Sequence, residues 1–318
     1  MGPTSLPQCP SLCRAIAHRI SVSASEKLNK SMDIRFVILS DPQLGLLENY
    51  VEQRPVPYHW DRDLDGVNRA IRLINRLRPK PSFVMVTGDM VHGKPGCSMR
   101  QPQTKDILEA FAKLDSNIKL FVLPGNHDLD DSPTSDSLRD YTESWGDDYY
   151  SFKMSQTKFL VLNSQYLFDD SKCTQESAEF HRWLDLELET LKREEEQRPI
   201  VFQHIPYFTD TAEENDSYFN LPQRNRLSLL SRLYDAGVRY VFAGHLHRNA
   251  IKSWVPDKNS DPIHLITTSA VFVQLGPDHP GIRLVRASSS SSVDHAYWSL
   301  DELEDLFNKN VQPTYSRS

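Results

Sequence analysis

Five short apolar segments of the chain each run directly into a loop that carries Asp, Asn, Gln or His side chains. Their β-branched and aromatic residues are typical of strands buried on both faces, and a Gly or Pro at the strand end predicts a tight turn. The carboxyl ends of strands in an open α/β sheet are where ligands usually bind. We therefore expect an α/β fold with one shared site. The segments and their loops are 34–40 with DPQLG, 82–87 with GDMVHG, 119–124 with GNHD, 198–203 with HIP, and 239–243 with GHLHRN.

The remaining pattern predicts helices between these strands and additional strands in the second half of the chain. Apolar residues recur at helical spacing in four longer segments, and a short terminal helix is expected at 301–307. Segments 148–154 and 158–165 are typical of a hairpin, and the serine-rich stretch 287–292 predicts a flexible turn. The longer helices are expected at 63–77, 104–115, 177–196 and 228–237, and the further strands at 263–270, 282–287 and 295–300.

No shift in composition marks a linker, which favours a single domain over residues 33–310. We expect residues 1–32 to be a flexible extension and residues 311–318 a disordered tail. Residues 1–25 contain no Asp or Glu but carry Arg and Ser, a composition also found in transit peptides. Three hypotheses stay open for this extension: a disordered leader, a targeting segment within residues 1–30, or translation that starts at Met32.

Composition excludes several classes of protein. The net charge of the 318-residue chain is −7, and no basic cluster is present, which argues against binding of nucleic acid. No apolar run approaches the roughly 20 residues of a membrane span. The 4 cysteines show neither metal-site spacing nor the density of a disulfide scaffold. We therefore expect reduced thiols and a cytoplasmic location, with targeting to an organelle as the alternative.

The loops after the five strands supply two carboxylates, two amides and three imidazoles, and no thiolate. Oxygen ligands mixed with imidazole suit Mn, Fe or Zn rather than Ca, and the lack of Cys argues against a structural zinc site. Seven ligands exceed the needs of one tetrahedral ion but fit two ions that share a carboxylate. The candidate metal ligands are Asp41, Gln43, Asp89, Asn126, His204, His245 and His247.

The order of these motifs, DxQ, GDxxH, GNHD, H and GHxH, resembles the calcineurin-like metallophosphoesterases over residues 33–250. The stretches WGDDYYSF, VLNSQ and VFQHIPYF at 145–152, 161–165 and 201–208 are similar to a group of that superfamily described as metal-dependent serine/threonine protein phosphatases. The resemblance implies an α/β four-layer αββα sandwich with two mixed sheets. It also implies two divalent metal ions, which would be Mn, Fe, Zn or Mg.

The resemblance also assigns expected roles to the candidate residues. Asp89 would bridge both metals, and His127 would be the catalytic imidazole that reaches the leaving-group oxygen without binding the ions. Asp128 would shape the loop and its electrostatics. Asp41 and His247 would hold the first metal, and Asn126, His204 and His245 the second.

Two positions depart from the family pattern. Gln43 stands where His is usual. We therefore expect the first site to bind its metal less tightly and to prefer Mn or Mg, unless the Gln43 side chain points away. His92 stands where related protein phosphatases have the Asp of GDxxDRG; it would either orient His127 or substitute as a ligand. The arginine of that motif is missing too. The candidates for replacing its positive charge are Lys94, Arg224, Arg226 and Arg248.

The expected activity is hydrolysis of phosphomonoesters by a metal-bridging hydroxide, with His127 donating a proton to the departing alkoxide. The resemblance favours phosphorylated serine or threonine proteins as substrates. An alternative is a nucleotide diphosphatase or phosphodiesterase of the ADP-ribose type, which also has DxQ. A third hypothesis is a non-catalytic scaffold, against which the complete ligand set argues. The acidic and aromatic segment 209–220 is expected to border the site, either to select basic phosphopeptides or as a solvated lid.

Overall fold

The computed structural model of the protein describes residues 33–193, 199–288 and 292–316. The predicted extension 1–32, with its hypotheses on targeting and translation start, lies outside the described residues, as do residues 289–291 of the serine-rich turn. Within the described part of the chain, eleven strands are formed: β1 Ile34–Leu39, β2 Phe83–Val86, β3 Lys119–Val122, β4 Tyr150–Met154, β5 Thr157–Val161, β6 Ile200–Phe202, β7 Tyr240–Ala243, β8 Ala250–Trp254, β9 Ile263–Thr267, β10 Gly281–Ala287 and β11 Val293–Ser299.

These strands form two mixed sheets. The first has the order β11-β10-β1-β2-β3, with β1, β2 and β3 parallel and β10 and β11 antiparallel additions. The second has the order β4-β5-β6-β7-β9-β8, in which β5, β6, β7 and β9 are parallel and the two edge strands antiparallel. Of the five strands predicted to carry the motifs, β1, β2, β6 and β7 lie inside the sheets, and β3 forms one edge of the first sheet.

A layer of phenylalanine rings packs between the two sheets. Phe36 of β1 stands edge-on to Phe202 of β6, with ring centroids 5.7 Å apart, and stacks on Phe83 of the neighbouring strand. Edge-to-face aromatic pairs of this kind add to the stabilisation from apolar burial. Side chains alternate along a strand, so Val37 and Leu39 of β1 face the opposite way and join the cluster that contains the helices.

Helices cover the outer faces of both sheets. Ile71 and Ile74 of the helix Asp61–Arg76 are buried in the same apolar cluster as the outward residues of the strands. Leu184 and Leu188 of the helix Thr174–Arg193 belong to this cluster too. This arrangement confirms the predicted αββα sandwich. None of the described helices is long and apolar enough to cross a membrane. The described helices are α1 Asp61–Arg76, α2 Arg100–Phe111, α3 Asn126–Leu129, α4 Ser135–Trp145, α5 Gln165–Phe168, α6 Thr174–Arg193, α7 Gln223–Asp235 and α8 Leu300–Asn308, with a π-turn at Leu47–Val51.

Two longer elements were not predicted. Helix α4 is mostly polar, but it begins with a capping box in which Thr134 and Ser137 exchange hydrogen bonds, and it buries Leu138, Tyr141 and Trp145. Strand β8 lies at a sheet edge, where Ile251 is exposed. Both were overlooked because their apolar residues are few.

The last described residues, 311–316, belong to the segment that we expected to be a tail. In the structure they contact the domain. The indole of Trp298 donates to the carbonyl of Thr314 at 2.9 Å, and the backbone amide of Arg78 donates to the side chain of Gln312 at 2.7 Å.

Candidate metal centre and active site

The candidate ligands meet where the carboxyl ends of central strands from both sheets face each other. Asp41 and Asp89 directly follow β1 and β2, whereas His204 and His247 follow β6 and β7. His204 Nε2 lies 3.4 Å from Asp89 Oδ2, and His247 Nε2 lies 3.6 Å from Asp41 Oδ1. All four side chains are buried. The site is therefore assembled across the gap between the sheets.

The carboxylates and imidazoles form two groups with the spacing of a metal site. One group consists of Asp89, His204 and His245, and the other of Asp41, Asp89 and His247; in each, the possible ligand atoms lie within 4.8 Å of one another. Asp89 belongs to both groups. A carboxylate shared by two such groups fits a pair of ions.

Backbone carbonyls fix which nitrogen of each imidazole faces the site. His204 Nδ1 donates to the carbonyl of Thr87 at 2.7 Å, and His247 Nδ1 donates to that of Val273 at 2.6 Å. His245 is turned the other way, since its Nε2 donates to the carbonyl of Tyr218 at 2.8 Å. The opposite nitrogens, Nε2 of His204 and His247 and Nδ1 of His245, remain for ligation. Such outer hydrogen bonds are usual for histidines that bind metal.

Asn126 lies beside the group formed by Asp89, His204 and His245. Its amide nitrogen donates to Asp131 Oδ1 at 2.9 Å and to the hydroxyl of Tyr218 at 2.7 Å. Its carbonyl oxygen lies 3.2 Å from His204 Nε2. Both amide hydrogens are thus bound away from the site, and the oxygen is presented to it.

The loops that carry the ligands have a strained backbone. Non-glycine residues rarely adopt positive φ, yet five of the candidate ligands do so. Strain of this kind persists where the surrounding structure fixes it, and it concentrates at functional sites. The φ angles are 46° at Asp41, 34° at Gln43, 53° at Asp89, 72° at His245 and 49° at His247.

Glycine precedes several ligands because the loops approach each other closely. A Cβ atom on Gly125 would lie 2.1 Å from Asp89 Oδ1, and one on Gly244 would lie 2.7 Å from Asp41 Oδ2. The Gly in the GN and GH motifs is therefore required by close approach to a carboxylate on another strand.

Asp128 lies outside both metal groups and holds their loops together. Its carboxylate accepts hydrogen bonds from the backbone amides of Asp89, Met90 and Gly125 at 2.7, 3.1 and 2.8 Å. Burial and the nearby Asp89 raise the pKa of Asp128 to about 7, against the lowering effects of Arg100 and the Gly125 amide. These bonds tie the loops after β2 and β3 together, while the role expected for Asp128 stays a prediction.

The buried carboxylates of the site need compensating positive charge. Burial raises the pKa of Asp41, and burial together with His204 lowers the pKa of His245 to about 3. Burial opposes the charged form of His204 as well, but Asp89, Asp41 and the Thr87 carbonyl together raise the pKa of His204 to about 9. In the protein alone, a proton on His204 balances the buried carboxylates. Divalent ions would supply that charge instead, so the donor set fits two metals.

Gln43 presents an amide oxygen that has no protein partner. Its Nε2 lies 3.4 Å from Nδ1 of His92, while Oε1 is buried without a hydrogen bond among the described residues. His92 Nε2 in turn lies 2.9 Å from Oδ1 of Asn49. A buried acceptor without a partner is costly, and ligation of a cation would satisfy it.

His127 lies beside the shared carboxylate. Its backbone amide donates to Asp89 Oδ1 at 2.9 Å, and its Nδ1 donates to the carbonyl of His92 at 2.8 Å. The His92 and His127 rings stack with centroids 4.8 Å apart. Burial lowers the pKa of His127, although Asp89 opposes this effect. Within the described residues, neither histidine belongs to a metal group.

The four cations proposed to replace the missing arginine differ widely in availability. Arg226 is fully buried and is bonded to backbone carbonyls, so it is not available to a phosphate. Lys94 pairs with Asp130 and Asp131 at 3.2 and 2.6 Å. Arg224 donates to a backbone carbonyl, and Arg248 is exposed.

Sequence reasoning overlooked Asn49 and Tyr218 as individual members of the site. The signal for Tyr218 was present, because segment 209–220 was expected to border the site and does so. Asn49 gave no such signal, since it lies in an unremarkable polar stretch.

Comparison with known proteins agrees with this geometry. Residues 34–249 match the family model described as calcineurin-like phosphoesterase. The chain belongs to this family. As a calcineurin-like phosphoesterase it is a hydrolase, a metal-dependent phosphoesterase that uses two divalent metal ions. The predicted family, enzyme class and cofactors are thereby confirmed, whereas the residue roles remain predictions.

Relatives of this phosphoesterase extend over most of its length. It is 41% identical over 270 residues to serine/threonine-protein phosphatase CPPED1 of Mus musculus, covering 84% of each chain. The Rattus norvegicus protein of the same name is 38% identical over 293 residues, covering 91% of this chain and 92% of the relative. Purple acid phosphatase PPD1 from yellow lupin seeds shares the fold, with a TM-score of 0.59 and 13% identity over 88% of this chain and 53% of the lupin chain.

Proposed function

We propose that this phosphoesterase removes phosphate from phosphoserine and phosphothreonine in proteins, with manganese as its metal. The observation that carries the proposal is the pair of ligand groups sharing Asp89, with the backbone of His127 bonded to the same carboxylate. The names of the relatives at 37–41% identity support a phosphoprotein substrate. The mixture of oxygen and imidazole donors supports manganese.

The residues divide between the two ions as follows. Asp41, His247 and the Gln43 oxygen would hold the first, and Asn126, His204 and His245 the second, with Asp89 between them. When bound, two divalent ions polarise a phosphoryl oxygen and lower the pKa of a bound water. Since the outer nitrogens of the three imidazoles donate to backbone carbonyls, each ring keeps one orientation without needing to reorganise.

His127 would deliver the proton that the leaving oxygen requires. Its Nδ1 donates to the carbonyl of His92, so only the imidazolium form carries a second proton, on Nε2, and that proton would pass to the leaving oxygen. The backbone bond to Asp89 keeps the ring at a fixed place relative to the ligands. General acid catalysis by a positioned imidazole typically contributes about 10²–10⁴-fold.

His92 would act as a positioning residue rather than as a ligand. Burial and His127 lower the pKa of His92 to about 3, so its ring is neutral at physiological pH. A neutral ring that donates from Nε2 to Asn49 accepts at Nδ1, which favours the observed orientation of the Gln43 amide. Its carbonyl and its stacked ring both contact His127.

The test is a manganese-dependent assay of purified protein on phosphopeptides, p-nitrophenyl phosphate and ADP-ribose. Phosphopeptide turnover should fall by about 10²–10⁴-fold in His127→Ala, with bound manganese unchanged. A matched control is His181→Ala, which removes a half-buried imidazole from α6 and should leave turnover intact.

The other outcomes separate the alternatives. Selective cleavage of ADP-ribose would show that the substrate is a nucleotide diphosphate and not a phosphoprotein. The proposed metal site would be unaffected by this result. Absence of turnover on all three substrates, with both metals bound, would favour the non-catalytic scaffold.

A further inference from the structure

The Glu214 carboxylate joins the two ends of the loop 209–220 next to the site. Glu214 accepts from the backbone amides of Thr209 and Asp210 at 2.7 Å each and from that of Thr211 at 3.3 Å. Asn220, at the far end of the loop, donates to the same carboxylate. The two ends of the loop are thereby joined, and its shape is fixed by its own side chains.

The buried Arg226 attaches this loop to helix α7. Its guanidinium donates to the carbonyls of Ala212 and Glu214 at 2.8 Å and to that of Leu221 at 2.8 and 3.1 Å. Asp216 of the loop lies 3.9 Å from the same guanidinium. A buried charge is costly unless it is paired and hydrogen-bonded, and these partners satisfy Arg226 while they tie the loop to the helix.

Three contacts place Tyr218 of this loop against Asn126 and His245, at the group that contains Asp89, His204 and His245. The Tyr218 carbonyl accepts from His245 Nε2 at 2.8 Å. The hydroxyl oxygen accepts from Asn126 Nδ2 at 2.7 Å. The ring lies 4.9 Å from the ring of His245. One residue thus orients two of the expected ligands.

The hydroxyl of Tyr218 retains its own hydrogen. A phenol both accepts and donates, and its oxygen already accepts from Asn126. No acceptor for the O–H hydrogen is found in the described parts of the chain, and Tyr218 is 46% exposed. The group therefore has an unused donor beside the ligands, on a side chain open to solvent.

We propose that the Tyr218 hydroxyl donates a hydrogen bond to a phosphoryl oxygen of the bound phosphoester while it holds Asn126 in place. The proposal rests on the phosphoesterase function and adds a phosphate-binding residue to it. Such a donor would supplement the cations near the site, of which Arg226 is buried and Lys94 is paired with two carboxylates. A neutral donor adds no charge that would repel the metals.

The test uses Tyr218→Phe, which removes the hydroxyl and keeps both the ring and the carbonyl that orients His245. We expect KM for p-nitrophenyl phosphate and Ki for inorganic phosphate to rise about tenfold at manganese concentrations that saturate both proteins. Calorimetric titration with Mn²⁺ should also show one of the two binding steps weakened, because Asn126 loses an acceptor. The control is Tyr234→Phe, which removes a hydroxyl from a tyrosine that packs against Trp254.

An unchanged Ki for phosphate at saturating Mn²⁺ would overturn the proposal, even if the Mn²⁺ titration had changed, since Tyr218 would then act only through Asn126. Failure of the proposed function is distinguishable from this result. A wild-type protein that cleaves ADP-ribose but not phosphopeptides would contradict the protein-phosphatase assignment, while the phosphate Ki of the two proteins would still decide the role of Tyr218.

Discussion

The side chain of His92 contacts neither metal group directly, yet it touches two residues expected to act there. It lies 3.4 Å from the amide nitrogen of Gln43 and stacks on His127. We predict that His92→Ala lowers affinity for one Mn²⁺ by about 10–100-fold, the usual cost of removing an outer partner of a metal ligand. Calorimetric titration with Mn²⁺ measures this. Unchanged affinity for both ions would show that Gln43 needs no such partner.

Asp63 is a buried acid that the site does not use. Burial raises the pKa of Asp63 from 3.8 to about 6, and its Oδ2 has no partner in the described structure. The unfolded chain therefore releases the proton at lower pH than the folded protein does. As pH rises from about 4 to about 6, stability falls, and the loss is complete above pH 6.

We predict that Asp63→Asn removes this loss. The variant should be more stable than the wild type at pH 7.5, by up to about 3 kcal/mol, and the difference should vanish near pH 4. Urea unfolding at the two pH values provides the measurement. If Asp63→Asn is no more stable than the wild type at pH 7.5, the Asp63 carboxylate is satisfied in the folded protein.

The turn between β3 and α3 depends on a glycine for steric reasons. A Cβ on Gly125 would lie 2.1 Å from Asp89 Oδ1, whereas one on Gly96 would meet nothing within 4 Å. We predict that Gly125→Ala abolishes Mn²⁺ binding and hydrolysis. Gly96→Ala should retain both, although its φ of +85° costs about 1–2 kcal/mol of stability. Retention of full activity by Gly125→Ala would mean that the loop can move away from Asp89.

The elements that the sequence predicted best are those with a strong apolar signal. The motif strands are short and buried, and the polar residues at their ends lead into the site. Helix α4 and strand β8 were overlooked because their stabilising contacts come from a few residues that pack in the folded state. The sequence predicted that segment 209–220 borders the site but did not single out Tyr218, because its bonds to Asn126 and His245 connect residues distant in the sequence.

Arg226 shows a different limit of sequence analysis. In the sequence it was indistinguishable from the solvated Arg224, and both were candidates to bind phosphate. The structure buries Arg226 against backbone carbonyls, which carry no side-chain signal. The nature of a ligand set was therefore accessible from residue types, whereas the arrangement of the residues that support it was not.

At the scale of the whole molecule, the site joins the two sheets. Asp41 and Asp89 come from the first sheet and His204, His245 and His247 from the second, so each metal group contains ligands from both. Ions bound in these groups would cross-link the sheets at one edge. The phenylalanine layer already joins them through their inner faces.

Metal binding should therefore stabilise the entire fold. An ion that binds only the folded state, held at 100 times its Kd, adds about 2.7 kcal/mol per site. We predict that EDTA lowers the urea midpoint of the wild type and that Mn²⁺ restores it. Asp89→Asn, which removes the shared carboxylate charge, should show a smaller response to Mn²⁺. Identical midpoints of the wild type in EDTA and in Mn²⁺ would contradict a cross-link between the sheets, because ligands from both must be brought together for either ion to bind.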